Sequence, residues 1–229
     1  MKWKSRNCLV QWRDPYFDIS CNEKTYSISL QQNHINIITI PERLHEELVA
    51  LLSSAALYFL YMDEVCISTP SGIRNFRAKF SINKTKTEFS EDIVTMIHSS
   101  ILSSGEKHYP ENELSTWCES IDALLIYQHI QEFSTWQMYR QSEPIGYLSL
   151  NYAKEHLEML YIHPDFHGRG YGKKLLDFAK EKCINWPQIT LQASRNAIPF
   201  YQSSGFMLQH GESLCRSSGT LCTTMIYKP

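Results

Sequence analysis

Leu160-Tyr161-Ile162-His163-Pro164-Asp165-Phe166-His167-Gly168-Arg169-Gly170-Tyr171-Gly172-Lys173-Lys174 is the most informative stretch of this chain. An apolar strand, 157–162, runs into Pro164 and Asp165, then into a turn with glycine at every second position, then into a basic helix over 172–183. Gly168, Gly170 and Gly172 let the main chain take conformations that a side chain forbids. The N–H groups of such a turn, with the free donors at the start of the helix, form a nest for an anion. Arg169, Lys173 and Lys174 add full positive charges beside it, and a pyrophosphate is its natural occupant. Two other phosphate loops are excluded. Gly172-Lys173 is followed by Lys174 rather than by the hydroxyl residue of a P-loop, and the spacing GxGxG is not the GxGxxG of a dinucleotide fold.

Outward from the turn, the pattern is one of alternating strands and helices. Upstream, 136–140 and 145–150 read as strands. Before them, Ser90-Glu91-Asp92 caps a helix running to about residue 100, and Tyr109-Pro110-Glu111 opens another with Leu114, Trp117 and Cys118 inward. Downstream come a strand at 189–193, a short helix at 196–203, and a closing hairpin of 206–209 with 221–227. The first third reads as strand (26–30), strand (35–40), a helix opening at Pro41, then extended chain. The apolar run 48–62 carries Ser53 and Ser54, is bracketed by acids, and is too short for a bilayer, so it reads as a buried helix. Thr69-Pro70-Ser71-Gly72 is the best turn signal and divides a region of unknown role, 1–72, from the region that carries the glycine-rich turn, 73–229.

Composition bounds the function. Of 229 residues, 43% are hydrophobic and 20% charged, which describes an ordinary globular protein rather than a disordered or fibrous one. With 22 basic and 24 acidic side chains, the net charge of −2 exerts no general pull on nucleic acid or an anionic membrane. The seven cysteines, Cys8, Cys21, Cys66, Cys118, Cys183, Cys215 and Cys222, include no CxxC pair; scattered free thiols and an N-terminus without an apolar h-region point to the cytoplasm. Residues 86–135 hold nine acids and two bases, net −7, while 167–182 hold five bases and two acids, net +3. Either two ligands of opposite sign bind here, or both segments are solvated helix faces. His163 and His167 are separated by Pro164 and the turn, so no metal site is expected.

This order of elements resembles the GNAT superfamily of acetyl-coenzyme-A-dependent N-acetyltransferases, whose turn is [Gln/Arg]-x-x-Gly-x-[Gly/Ala]. His167-Gly168-Arg169-Gly170-Tyr171-Gly172 matches it with His167 in the first place. A second block similar to the family's runs from Gln192 through Ser194, Asn196 and Phe200-Tyr201 to Gly205-Phe206. The resemblance covers about 85–229. It implies an α/β (α+β) fold, a mixed central sheet flanked by helices, with an extra N-terminal α/β segment. It also implies that the strands at 157–162 and 189–194 splay apart around acetyl-CoA. The pantetheine would then pair with Leu160 and Ile162, and the pyrophosphate would lie on His167, Gly168, Arg169, Gly170, Tyr171, Gly172 and Lys173, with Asn196 nearby. Tyr201 falls at the family's general acid, its alternative being a buried structural tyrosine. For the base, Glu158 and His156 stand two apart on one strand, facing the same way unless a bulge parts them; a water chain is the alternative. The resemblance places 86–135 over the acceptor side, so a cationic small-molecule or peptide amine is expected. A non-catalytic acyl-CoA-binding or interaction module is the competing function.

Overall fold

A computed structural model describes residues 2–21, 24–60, 62–214 and 221–229. The chain divides into two compact units, Met1–Lys79 and Phe80–Pro229.

The first unit is a seven-stranded sheet in sequential order: β1 (Lys2–Lys4), β2 (Cys8–Arg13), β3 (Tyr16–Cys21), β4 (Lys24–Gln31), β5 (His34–Asn36), β6 (Glu64–Thr69) and β7 (Gly72–Arg77). Every pairing is antiparallel except β5–β6, which the helix α1 (His45–Ser54) and the wider turn after it connect. Val10, Phe17, Ile19, Ile35 and Ile67 are fully buried with Leu48 and Leu52 of α1, so the apolar stretch at 48–57 serves the core of this unit. Three strands precede the two read from the sequence, and the second of those is short. Pro41 opens a helical turn at Glu42–Leu44, and before it the chain already turns, with Ile38 N–H on Asn36 Oδ1 (3.0 Å) and Ile40 N–H on Ile37 O (3.0 Å). The turn at Thr69–Gly72 joins β6 to β7 as a hairpin, its Thr69 hydroxyl donating to Gly72 O (2.9 Å). The expectation of free thiols throughout is corrected. Cys8 and Cys21 face each other across β2 and β3 and are joined by a disulfide, whereas Cys66, Cys118 and Cys183 are free; Cys215 lies outside the described residues.

The second unit contains, in chain order, β8 (Phe80–Lys84), α2 (Ser90–Gly105), α3 (Glu111–Glu119), α4 (Ala123–Glu132), β9 (Ser134–Arg140), β10 (Glu143–Asn151), β11 (His156–Ile162), α5 (Tyr171–Lys182), β12 (Ile189–Ser194), α6 (Ile198–Ser203), β13 (Met207–Leu214) and β14 (Leu221–Tyr227). Its sheet runs β13-β14-β12-β11-β10-β9-β8, antiparallel throughout except for β11–β12. This is the mixed sheet expected from the sequence. Helices α2, α3 and α4 bury Ile93, Ile97, Ile101, Leu114, Trp117 and Ile126 against Tyr147 and Met159 of the sheet. On the opposite face, α5 buries Leu175, Leu176 and Ala179. Gly146 allows this close approach: a Cβ there would lie 2.8 Å from Ile162 Cδ1 and 3.3 Å from Leu175 Cδ2.

Two elements were not expected. In β8 every residue is exposed or half-buried, so it carries no apolar run. Helix α4 starts at Asp122, whose carboxylate accepts from Leu125 N–H (2.8 Å), but its apolar residues spread round the barrel, leaving Leu124 62% exposed. Ser90 does not cap α2. It is the first helical residue, and its hydroxyl donates to Thr87 O in the preceding turn. Among the described residues no helix is long and apolar enough to cross a membrane.

Candidate active site

β11 and β12 pair only at His156–Thr190 and Leu157–Leu191. Beyond that point β12 stays with β14 along its whole length, and the two parallel strands part. The gap opens into a cleft of about 590 Å³ lined by residues of both strands, of the glycine turn, and of α2, α3, α5 and α6. His163 N–H bonds back to Ile145 O on the β10 side, and main-chain groups alternate sides along a strand. The N–H groups of Leu160 and Ile162 therefore turn toward the gap.

At the narrow end of the cleft the strand is bulged. Ser149 pairs with Met159 but Leu150 with Leu157, so Glu158 is an extra residue in β11. The bulge parts the two candidate bases. Glu158 turns to β10, where its Oε1 accepts from Asn151 Nδ2 (2.9 Å). Asn151 is buried, and its Oδ1 is held by Lys154 N–H (3.2 Å), so its amide cannot swing away. His156 turns to β12, with Nδ1 2.8 Å from Thr190 Oγ1. That hydroxyl donates to Glu155 O (3.2 Å), so it accepts from His156, and Nε2 is the basic nitrogen of the ring. Both side chains line the cleft.

His129 of α4 stands behind this pair, its Nδ1 3.3 Å from Ser149 Oγ. Burial pushes its pKa below the ordinary histidine value, against the opposite pull of Glu158 and Glu132. Sequence reading missed both Asn151 and His129. Asn151 is a lone polar residue at the end of an apolar strand and reaches Glu158 only through sheet register, and His129 sits among the polar residues of α4 and reaches the site only through the packing of that helix on the sheet.

Gly168 (φ +72°) and Gly170 (φ +81°) hold left-handed conformations, and a Cβ on either would meet no protein atom within 4 Å. The turn is thus an open cradle at the start of α5, whose first N–H groups have no helical partner. Lys173 lines it, paired with Asp177 (2.9 Å). Asn196 lines it too, and its Oδ1 is buried without a hydrogen-bond partner among the described residues. The remaining turn residues are arranged differently from one another. His167 Nε2 lies 2.7 Å from Ile162 O and 3.4 Å from Ser100 Oγ, so the ring braces the turn against β11 and α2. Arg169 lies over the Phe166 ring (5.8 Å). Tyr171 is fully buried beside Phe80 and Phe166, leaving only its main chain for a ligand.

Tyr201 of α6 lines the cleft at 6% exposure, and its hydroxyl makes no hydrogen bond among the described residues. Burial raises its pKa well above the ordinary phenol value, so the ring keeps its proton. The acids Glu88, Glu91, Asp92, Glu106, Glu111, Glu113 and Glu119 do not line the cleft, in which Glu158 is the one carboxylate among the described residues. They occupy outer positions of α2, α3 and their flanking turns, and all but Glu113 are exposed.

A mixed sheet whose one parallel pair parts above a glycine-rich anion cradle is the arrangement of an acyltransferase that takes its acyl group from a coenzyme A thioester. The family model described as "Acetyltransferase (GNAT) domain" matches residues 106–229, and the chain belongs to that family of N-acetyltransferases. Among curated proteins it is similar to the peptidyl-lysine N-acetyltransferase YjaB of Salmonella typhimurium, with 27% identity over 42% of this chain and 75% of the relative. The Escherichia coli K12 protein of the same name is 25% identical over 46% of this chain and 82% of the relative. Among solved structures, a GCN5-related N-acetyltransferase of Rhodopseudomonas palustris superimposes with a TM-score of 0.60 at 23% identity, over 65% of this chain and 95% of that one. The PaiA N-acetyltransferase of Thermoplasma acidophilum, solved with coenzyme A, gives 0.56 at 21% identity, over 66% of this chain and 99% of that one. These structural likenesses are ones of fold.

Proposed function

We propose that the second unit transfers the acetyl group of acetyl-CoA to a primary amine, on a small molecule or a peptide lysine, within the cleft between β11 and β12. The observation that carries this reading is the cleft itself. One end is an open cradle of main-chain donors, and the parted strands lead from it to a bulge carrying Glu158, with Tyr201 in the same cavity. Its residues fit the cosubstrate. The cradle of Gly168 to Gly172 has room for a pyrophosphate because no protein atom lies where a Cβ would project from Gly168 or Gly170. Lys173 adds charge there, and the buried Asn196 Oδ1, without a partner among the described residues, can accept from an N–H or O–H of the pantetheine.

Acetyl-CoA supplies an activated acyl thioester with a thiol leaving group. The chain's own groups supply the rest. Leu160 and Ile162 present main-chain N–H groups to hold the pantetheine and to polarise the carbonyl. Glu158, held by Asn151, takes the proton of the incoming ammonium, directly or through water, so that nitrogen can form the C–N bond. Tyr201 holds its proton at Oη until the C–S bond breaks and gives it to sulfur, and the second proton of the acylated nitrogen returns to Oη, directly or through water. His156 is the second candidate base, through Nε2. In this reading His167 and Tyr171 shape the cradle with their side chains and bind through their main chain, and Arg169 acts as a charge at its rim.

The acceptor enters as a cation, since free alkylamines are protonated at neutral pH. The acids of α2 and α3 supply a field around the cleft rather than contacts in it. A cytoplasmic location completes the proposal, because the reaction draws on a metabolic thioester. The test is release of coenzyme A thiol from acetyl-CoA with and without amines. Amine-dependent release that is lost in Tyr201→Phe supports the assignment, and amine-independent thiol counts in both proteins refute it.

A further inference from the structure

The cleft reaches both faces of the sheet, and the two faces differ in chemistry. The glycine turn, α5 and α6 lie on the face of Ile162, where the anion cradle is. Glu158 stands four residues back along β11, about 13 Å from Ile162 at the rise of an extended strand. There the cleft opens on the other face, against α2, α3 and α4.

That wall is apolar. Ile101, Trp117, Ile121, Leu125, Met159 and Tyr161 line it, and Ile101, Trp117, Ile121 and Met159 are each at most 8% exposed. Its serines offer only neutral oxygens: Ser104 Oγ donates to Ser100 O (2.7 Å), Ser120 Oγ to Trp117 O (2.7 Å), and Ser100 Oγ lies 3.4 Å from His167 Nε2. Glu158 is the one carboxylate facing the cleft among the described residues.

We infer that the acceptor is a primary amine carried on an apolar stem, with a single positive charge at its tip: an alkylamine, an arylalkylamine or the side chain of lysine, and not a polyamine. The ammonium meets Glu158, and the stem lies along the wall of α2, α3 and α4. A second ammonium on that stem would be stripped of water with no carboxylate to balance its charge, because the acids of these helices do not line the cleft. Thus the charge of residues 86–135 draws amines in, and the wall chooses among them. Trp117, Ile121 and Leu125 set the specificity. This inference rests on the transfer reading above.

The experiment measures kcat/KM of the full chain for propylamine, butylamine, pentylamine and phenethylamine, and for cadaverine as the dication matched to pentylamine. Each added methylene buried on the wall raises kcat/KM by about fourfold, until the wall is covered. Pentylamine and phenethylamine exceed cadaverine. Leu125 is half-buried, so Leu125→Asp places a carboxylate on the wall at little cost to the core; it reverses the ranking of pentylamine and cadaverine. A kcat/KM independent of stem length, or cadaverine preferred by the unaltered protein, overturns the inference and leaves acetyl transfer standing. Failure to acetylate any amine in the series, and a lysine peptide run beside it, overturns the transfer reading and this one together.

Discussion

Gly170→Val separates the cradle from the fold that carries it. Gly170 sits at φ +81° as the residue capping α5, and a branched side chain in that region costs about 1–3 kcal/mol of strain. The new Cβ meets no protein atom within 4 Å, so strain is the whole of the intrinsic cost. At about 2–4 °C per kcal/mol for a unit of this size, melting of the free protein falls by about 2–12 °C and remains cooperative. In the unaltered protein, acetyl-CoA at a hundredfold excess over its Kd adds about 2.7 kcal/mol, or about 5–11 °C. The valine side chain projects into the space before the first N–H groups of α5, so in the variant that rise disappears. Gly205→Ala is the control for strain alone. Its φ is +89°, its Cβ would make an ordinary contact with Tyr227 (3.4 Å), and it lies outside the cradle. It should lower the melting temperature while keeping the coenzyme-induced rise. Differential scanning fluorimetry over a coenzyme titration reads both quantities. An equal rise in Gly170→Val and the unaltered protein would falsify the placement of the pyrophosphate on this turn.

Three further outcomes follow from the same geometry. Tyr201→Phe keeps the ring packing and removes only the proton, so kcat should fall by about 10²–10⁴-fold with coenzyme affinity little changed; a wild-type kcat reduces Tyr201 to packing. Glu158→Gln removes the base and Asn151→Ala the amide that holds it (2.9 Å), so their effects on kcat/KM should be strongly non-additive, Asn151→Ala being the milder; strict additivity in the double variant disconnects them. Burial holds the folded-state pKa of His129 below the ordinary ~6.5, so the unfolded chain binds the extra proton first. The stability linked to His129 is therefore full above about pH 6.5 and is lost as pH falls below it. Urea midpoints across that range should converge for His129→Gln and the unaltered protein in acid, and parallel midpoints would remove the linkage.

The second unit was legible where local signals are strong. Turn chemistry and apolar runs identified β11, α5, β12 and β14, because each is a continuous stretch whose pattern does not depend on its neighbours. Even the burial of Tyr171 could have been read from the chain: Tyr171, Leu175 and Ala179 recur four apart on α5 and are all fully buried. The first three strands were hidden for a different reason. Val10, Phe17 and Ile19 alternate correctly toward the core, but Gln11, Arg13, Asp14 and Asp18 interrupt them and leave no apolar run. In the site, the glycine cradle was local and therefore visible. Asn151 reaches Glu158 through a β10–β11 register displaced by a bulge, and His156 reaches Thr190 across a parallel crossover thirty-four residues long. No pattern within one segment encodes either contact. The acids of α2 and α3 show the converse limit: a charge count over a segment does not say which side of a helix each charge takes, and these take the solvent side.

The most direct test of N-acetyl transfer in this cleft is mass spectrometry of an equimolar amine panel, lysine peptides included, incubated with isotope-labelled acetyl-CoA and the protein, beside a parallel reaction with Tyr201→Phe. Gain of one labelled acetyl group on primary amines, matched one-for-one by free thiol and strongly reduced in the variant, is the expected result. Tight binding of the coenzyme with no label on any amine, or equal labelling by the unaltered protein and the variant, would contradict it.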